Sequence, residues 1–426
     1  MIARKASDET RAHLWPDNVD GARQNRRGPD SVLLSARGVE RDRRRNPCNK
    51  QQRMTYGFRM CRTFWPMTHL MSMVDHDCGL RQQESRHLVR CQSMMGLMEL
   101  IFTESLSRLE KILKAAERPR SFKDEKTAFA ARTELFKLEG WAKIHRHWPD
   151  SKERKIFEQI REQAKTLEDA LGKVDVAKAF AKDLRAKDRS DLAENFDEQA
   201  KHAHKELKHI LKSKEWFSKR DDETRVQKMQ KMISSVDWPS VDRQFDYLEK
   251  AVIKDLEEVN GLFRSEWKPK LVDASYDRET VEFTLHKFRR QLRWFAIYFQ
   301  TGHGLFALAP LPNTLTSEKR KLIAEYKNSA FTKLPKTRHT RREIDRIAYY
   351  ELTRLIDRLG EVKDQAEGYF YLRDILIKHG ESEAKAEERA EMLYGDAPIE
   401  TPVATQSILA EYERFKPLSY LVQSLR

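Results

Sequence analysis

The chain has 426 residues, 35% of them charged and 39% hydrophobic, with only 15 Gly and 14 Pro. That balance excludes a fibrous or turn-rich multistranded protein and points to a helix-rich one. There is no run of 18 apolar residues and no apolar stretch in the first 30, so neither a membrane span nor a signal peptide is expected, and the expected location is cytoplasmic. The net charge of +14 favours an acidic partner.

Charge is unevenly spread. Residues 1–96 hold 18 of the 81 Lys and Arg against 10 of the 67 acidic residues, and 16 of those 18 bases are Arg. All four cysteines, Cys48, Cys61, Cys78 and Cys91, lie there at spacings that match no CxxC metal site. No helical or strand period runs through this stretch. Residues 1–97 are therefore expected to be a disordered or mis-assigned leader, since Met94, Met95 and Met98 stand just before the first clear helical pattern. An arginine-rich arm for nucleic acid is the sharper reading of the same residues, and the less favoured one.

From Met98 onward a period of 3.6 takes over. Ile101, Leu106, Leu109 and Leu113 mark a first helix that ends before Pro119. A second is expected over 124–148, broken at Pro149, and Asp150 or Ser151 caps a long third. Further helices are read at about 190–217, 221–234, 239–267, 277–300, 317–328, 341–379 and 381–394. "GHGLFALAPLPNT" is the one obvious irregular loop. The predicted fold is all-α, with a helical domain over 98–395, halves at about 98–235 and 236–395, and a C-terminal extension over 396–426.

An internal repeat supports two halves. "LEDALGKVD" at 167–175 and "LIDRLGEVKD" at 355–364 share L-x-D-x-L-G-x-V and place Gly172 and Gly360 at matching points. A glycine inside a helix costs about 1 kcal/mol relative to alanine, so a close helix crossing is its expected compensation.

The segment "TLHKFRRQLRWF" divides cleanly on a helix. Leu285, Phe288, Leu292, Phe295 and Phe299 form an apolar stripe, and His286, Arg289, Arg290 and Arg293 form a basic one. Donors one turn apart over roughly 10 Å suit a linear polyphosphate, and arginine forks bind phosphate oxygens in pairs. "KHAHKELKHILK" places Lys201, Lys205, Lys208 and Lys212 on a second stripe, near His204. "KTRHTRREIDR" concentrates Lys336, Arg338, His339, Arg341, Arg342 and Arg346 at an expected helix start, where positive charge opposes the helix dipole unless an anion binds.

The pattern H-x-x-R-x-x-x-R on an amphipathic helix, followed by L-G-x-V-x-D and present in two helical halves, resembles the CHAD family, the conserved histidine α-helical domain. The resemblance covers roughly 98–395. It implies two related four-helix bundles about a pseudo-twofold axis, with basic residues lining a central groove that binds inorganic polyphosphate. His286, Arg289 and Arg293 stand at the family's basic motif, and "LGEVKD" has Lys363 and Asp364 where the family usually has Arg-Asp. Aligning "LFKLEGWAK" in the first half puts Phe136 opposite His286, Glu139 opposite Arg289 and Lys143 opposite Arg293, so Lys143 alone keeps a positive charge there and Glu139 would repel a polyanion.

No catalytic constellation is found: there is no Gly-rich phosphate loop, G-x-S-x-G or H-E-x-x-H. His202, Glu206 and His209 have a spacing that could hold a metal, but no second carboxylate pair supports it. "ESEAK" at 381–385 matches a triphosphate-tunnel motif that belongs on a β-strand, whereas here it falls in a charge-dense helical stretch. The expectation is a non-catalytic polyanion-binding module without cofactor or metal, with polyphosphate as the partner, granule association, no membrane and no preference for nucleic acid. The alternative is a structural or protein-interaction helical domain whose polyanion site has decayed.

Overall fold

In the computed structural model the described residues are 96–426, apart from 117–121, 123, 218–221, 274–276, 303, 330–331, 333 and 335–340. Residues 1–95, with the four cysteines, lie outside them, as do Lys336, Arg338 and His339, whereas Leu97, expected in the leader, opens the first helix. The remainder is nearly all helical: α1 Leu97–Ala116, α2 Glu125–Ile144, α3 Ser151–Ala186, α4 Ser190–Ser213, α5 Arg225–Ser234, α6 Val241–Leu262, α7 Lys268–Asp273, α8 Arg278–Thr280, α9 Lys287–Thr301, α10 Ser317–Tyr326, α11 Arg346–Lys378, α12 Glu383–Tyr394, α13 Ala397–Phe415 and α14 Pro417–Leu425. No described helix is long and apolar enough to cross a membrane.

Local chemistry explains the helix starts. Asp124 accepts from the Thr127 backbone N–H to cap α2, and Asp150 accepts from Lys152 and Glu153 to cap α3. Thr224 and Gln227 form a reciprocal capping box at α5. The two apolar stripes read in the sequence are buried as expected: Ile101, Leu106, Leu109 and Leu113 on α1, and Leu285, Phe288, Leu292, Phe295 and Phe299 on and just before α9.

Three expectations about local structure change. The helix expected at 341 starts at Arg346, because Arg342–Ile344 pair in parallel with Phe306–Leu308 as a short β2 beside β1. The loop "GHGLFALAPLPNT" therefore contains a strand. The helices expected over 239–267 and 277–300 each contain a π-helical turn, Phe263–Trp267 after α6 and Val281–His286 before α9. Residues after 395 are not an appendage either. α14 packs against α6 and α11 and buries Leu418, Leu421 and Leu425 completely, and the Tyr412 hydroxyl of α13 donates to Asn260 on α6 (3.1 Å).

α1 packs on α2 and α5, α2 on α3, and α3 on α4, while α11 packs against α12, α13 and α14. The two expected halves share one core, joined by an aromatic cluster in which Phe102, Phe157, Trp148, Trp238 and Tyr247 surround His145. The fully buried His145 ring donates from Nδ1 to the Trp141 carbonyl (2.6 Å) and turns Nε2 to the Met98 sulfur (3.4 Å). Burial holds this imidazole down to about 4.

Close packing also explains Gly368. A Cβ there would collide with the Tyr394 ring, whose hydroxyl donates to Asp183 (2.9 Å) and whose face carries Lys187. Gly368→Ala is expected to destabilise by about 1–3 kcal/mol through overpacking, despite its better helix propensity. Denaturant unfolding measures this, and a stability gain would show that the ring moves freely.

The His145 shift gives a pH prediction. The folded state binds its proton less readily than the unfolded chain, so its contribution is fully present above about pH 6.5 and is lost as pH falls towards 4. His145→Phe should flatten the stability–pH slope in that window by up to about 3 kcal/mol, read from urea midpoints at pH 7 and pH 4.5.

Candidate functional site

The two glycines of the internal repeat have closely similar surroundings. A Cβ on Gly172 of α3 would sit 2.9 Å from Nη2 of Arg132 on α2, and one on Gly360 of α11 would sit 2.6 Å from Nη2 of Arg289 on α9. In both places the missing side chain lets a guanidinium lie against the helix backbone. The likeness is local, and no axis relating the two halves follows from it.

Arg289 donates from Nε to the Ile356 carbonyl (2.9 Å) on α11. Arg132 is held by Glu168 (2.8 Å) and, at 3.4 Å, by Asp175. The first-half counterpart of Arg289 is thus Arg132 rather than Glu139. "RTELFKL" aligns with "RRQLRWF", seven residues from the register first read, and Leu135 and Leu138 then match Leu292 and Phe295.

Arg290 and Arg293 complete a group of four guanidiniums. Nη2 of Arg290 donates to both oxygens of Glu139 (2.8 and 3.1 Å) and lies 3.8 Å from Oε2 of Glu168. Arg293 lies over the Phe136 ring, 4.5 Å from its centroid, and Phe136 stacks on Trp294 at 4.2 Å. Trp294 in turn covers Gly140, so α2 and α9 touch closely along this line.

The electrostatics follow from crowding. Burial, and then the like charges of Arg289, Arg132 and Arg290, depress Arg293 well below the ordinary arginine range, with Glu168 opposing. Glu168 itself is held at about 2: burial would raise it, and Arg132, Arg290 and Arg293 overcome that. Burial lifts the Glu139 carboxyl, with Arg290 opposing. Asp357, facing Arg289, is pushed up to about 7 by burial and by Glu361 and Glu325, against the pull of Arg289.

Three residues stand differently from what the sequence leads one to expect. His286 belongs to a different cluster from the arginine row: its Nδ1 lies 3.6 Å from Glu282 and 3.8 Å from Glu367. Burial pushes its imidazole down to about 4, so it is neutral at pH 7 and offers no cationic donor. Lys143 is not a counterpart of Arg293 but a buried partner of Asp255 (2.6 Å), which also binds Arg146 and accepts from the Tyr298 hydroxyl. Glu139 does not line an open groove as a repelling charge; it is the internal counterion of Arg290.

The other basic rows lie elsewhere. Lys201, Lys205 and Lys212 are exposed and Lys208 half-buried on α4, whose apolar face packs against α3, and Lys201 pairs with Glu198 (2.6 Å). Arg341 pairs with Asp242 and Asp246, and Arg342 with Glu249 (2.8 Å), all on α6, so carboxylates rather than an outside anion answer the charge expected at a helix start. Of the metal-ligand spacing expected from the sequence, His202 and Glu206 stand 3.6 Å apart on the surface of α4. Among the described residues, the group whose ligand atoms converge is Glu282, His286 and Glu367.

Comparison with family models, curated proteins and solved structures finds no match to this chain.

The position of Glu139 gives a direct test. Glu139→Arg, which the first alignment would favour for anion binding, should instead destabilise the fold by about 3–5 kcal/mol, because it removes a buried counterion and adds a fifth guanidinium. Thermal unfolding of the variant reads the loss. An unchanged midpoint would mean that the Arg290–Glu139 pair contributes nothing.

Proposed function

We propose that the arginine group of α2 and α9 binds a polyanion without catalysis, and that the polyanion is inorganic polyphosphate, as the CHAD-like pattern implies. The supporting observation is that the half-buried Arg132, Arg289, Arg290 and Arg293 are concentrated at one place between α2 and α9, where burial and three like charges press on Arg293. Proteins rarely hold such a concentration without anions to answer it. Glu139, Glu168 and Asp175 hold Arg290 and Arg132 from within and Asp357 faces Arg289, and a phosphate chain would compete with these carboxylates through arginine forks. The same reading takes the two halves as related bundles about an approximate twofold axis and places the protein in the cytoplasm beside polyphosphate granules.

A second reading has an observation of its own. Arg132 and Arg290 already have good carboxylate partners, which is what a helical scaffold or protein-interaction domain with a decayed anion site would keep.

Titration of the chain with long-chain polyphosphate separates the two. Binding should be measurable at low salt and fall steeply as salt is added, by analogy with counterion release from nucleic acids. Arg289→Ala should cost about 1.5–3 kcal/mol of binding while circular dichroism stays helical. No affinity at low salt rejects the polyanion reading and leaves the scaffold one.

The site also predicts a pH dependence. As pH falls through about 7, Asp357 loses its charge and stops competing for Arg289, so binding should tighten between pH 8 and pH 6. Asp357→Asn should remove most of that change. A wild type whose affinity is flat over this range would show that Asp357 does not face the bound anion.

A further inference from the structure

One turn before the arginine row, the π-helical turn Val281–His286 carries Glu282 and His286 towards Glu367 on α11. Their nearest ligand atoms all lie within 4.8 Å of one another. The His286 Nδ1 is shielded from solvent and accepts or donates no hydrogen bond, although carboxylate oxygens stand 3.6 and 3.8 Å away. Those separations are too long for hydrogen bonds. They are close to the spacing of two ligand atoms on one small cation: with metal–ligand bonds of about 2.0–2.2 Å in a tetrahedron, neighbouring donors lie about 3.4 Å apart.

Two further observations point the same way. π-helical turns are uncommon and occur often at functional sites, and this one lies where the two donors of α9's entry meet α11. Lys363 grips one oxygen of Glu367 (Oε2, 2.6 Å), leaving Oε1 turned to His286. The ammonium is a positive charge that opposes a cation, but Asp364 stands 3.3 Å from it as a second partner to which it can shift. A small pocket of about 10 Å³, lined by Glu282 and Glu367 together with Arg278, Val281, Phe370 and Tyr371, adjoins the cluster and has room for about one water as a fourth ligand.

We infer that Glu282, His286 and Glu367 form a binding site for a single divalent transition-metal ion, Zn2+ being the ion tested. One imidazole and two carboxylates make a borderline donor set that favours Zn2+ over Mg2+ or Ca2+. The inference does not rest on the polyanion reading, because none of the three residues belongs to the arginine group.

The test is equilibrium titration of the full chain with Zn2+, with a chromophoric chelator as competitor. Other histidines and the cysteines of residues 1–95 can also take up metal, so the readout is the difference between wild type and variants. Wild type should bind one more tight equivalent than His286→Ala, and Glu282→Gln should weaken that equivalent at least tenfold. Mg2+ at the same concentrations should not compete. Glu282 is partly exposed, so Glu282→Gln keeps the test informative if His286→Ala fails to fold. Equal stoichiometry and affinity in wild type and a folded variant overturns the inference.

Discussion

Four guanidinium groups occupy the space where α2, α3, α9 and α11 meet, and the local structure is arranged to make that tolerable. Burying like charges is costly unless each finds a partner. Glycine at 172 and 360 lets two of them lie flat against a helix backbone, Glu168 serves Arg132 directly and lies near Arg290, and an aromatic face takes Arg293. Glu139 closes the set from the opposite helix. The tight contact of Trp294 with Phe136 and Gly140 depends on this compensation, because it brings α2 and α9 close enough for their charges to meet.

This arrangement separates two properties that an amphipathic pattern merges. A basic stripe opposite an apolar one is usually solvated, yet here Arg289, Arg290 and Arg293 are all half-buried. A ligand at such a site competes with internal carboxylates as well as with water. Affinity would then depend on how far Glu139 and Glu168 yield, and a short anion would be at a disadvantage against one long enough to contact several guanidiniums together.

The helices were legible in the sequence because apolar spacing and capping residues act locally, and Leu285 to Phe299 or Ile101 to Leu113 needed no knowledge of partners. The repeat glycines were legible too, since a helix interior rarely retains glycine without a close neighbour. The identity of that neighbour was not. A shift of seven residues keeps every side chain on nearly the same helical face, so Arg132 and Glu139 were equally good counterparts of Arg289 by periodicity. The R-x-x-L-x-x-[LF] signature shared by 132–138 and 289–295 would have chosen between them. The inward turn of Lys143 and the docking of α14 on α6 depend on contacts across more than 100 residues of chain, and the neutral state of His286 depends on burial by other elements, none of which a local pattern encodes.

The wide turn at Val281–His286 also bears on how this segment can change over generations. A π turn is an α-helix with one residue's worth of slack, and losing a single residue from it restores the ordinary ladder. Each residue removed from a helix rotates the N-terminal part by about 100° relative to the C-terminal part. Within the wide turn, by contrast, a deletion at the exposed Phe283 is absorbed: the segments on either side keep their phase, Arg278 as well as Arg289, Arg290 and Arg293, and Glu282 is the ligand displaced. The basic row and the carboxylate–histidine cluster, though adjacent in the chain, are thus free to be kept or lost independently.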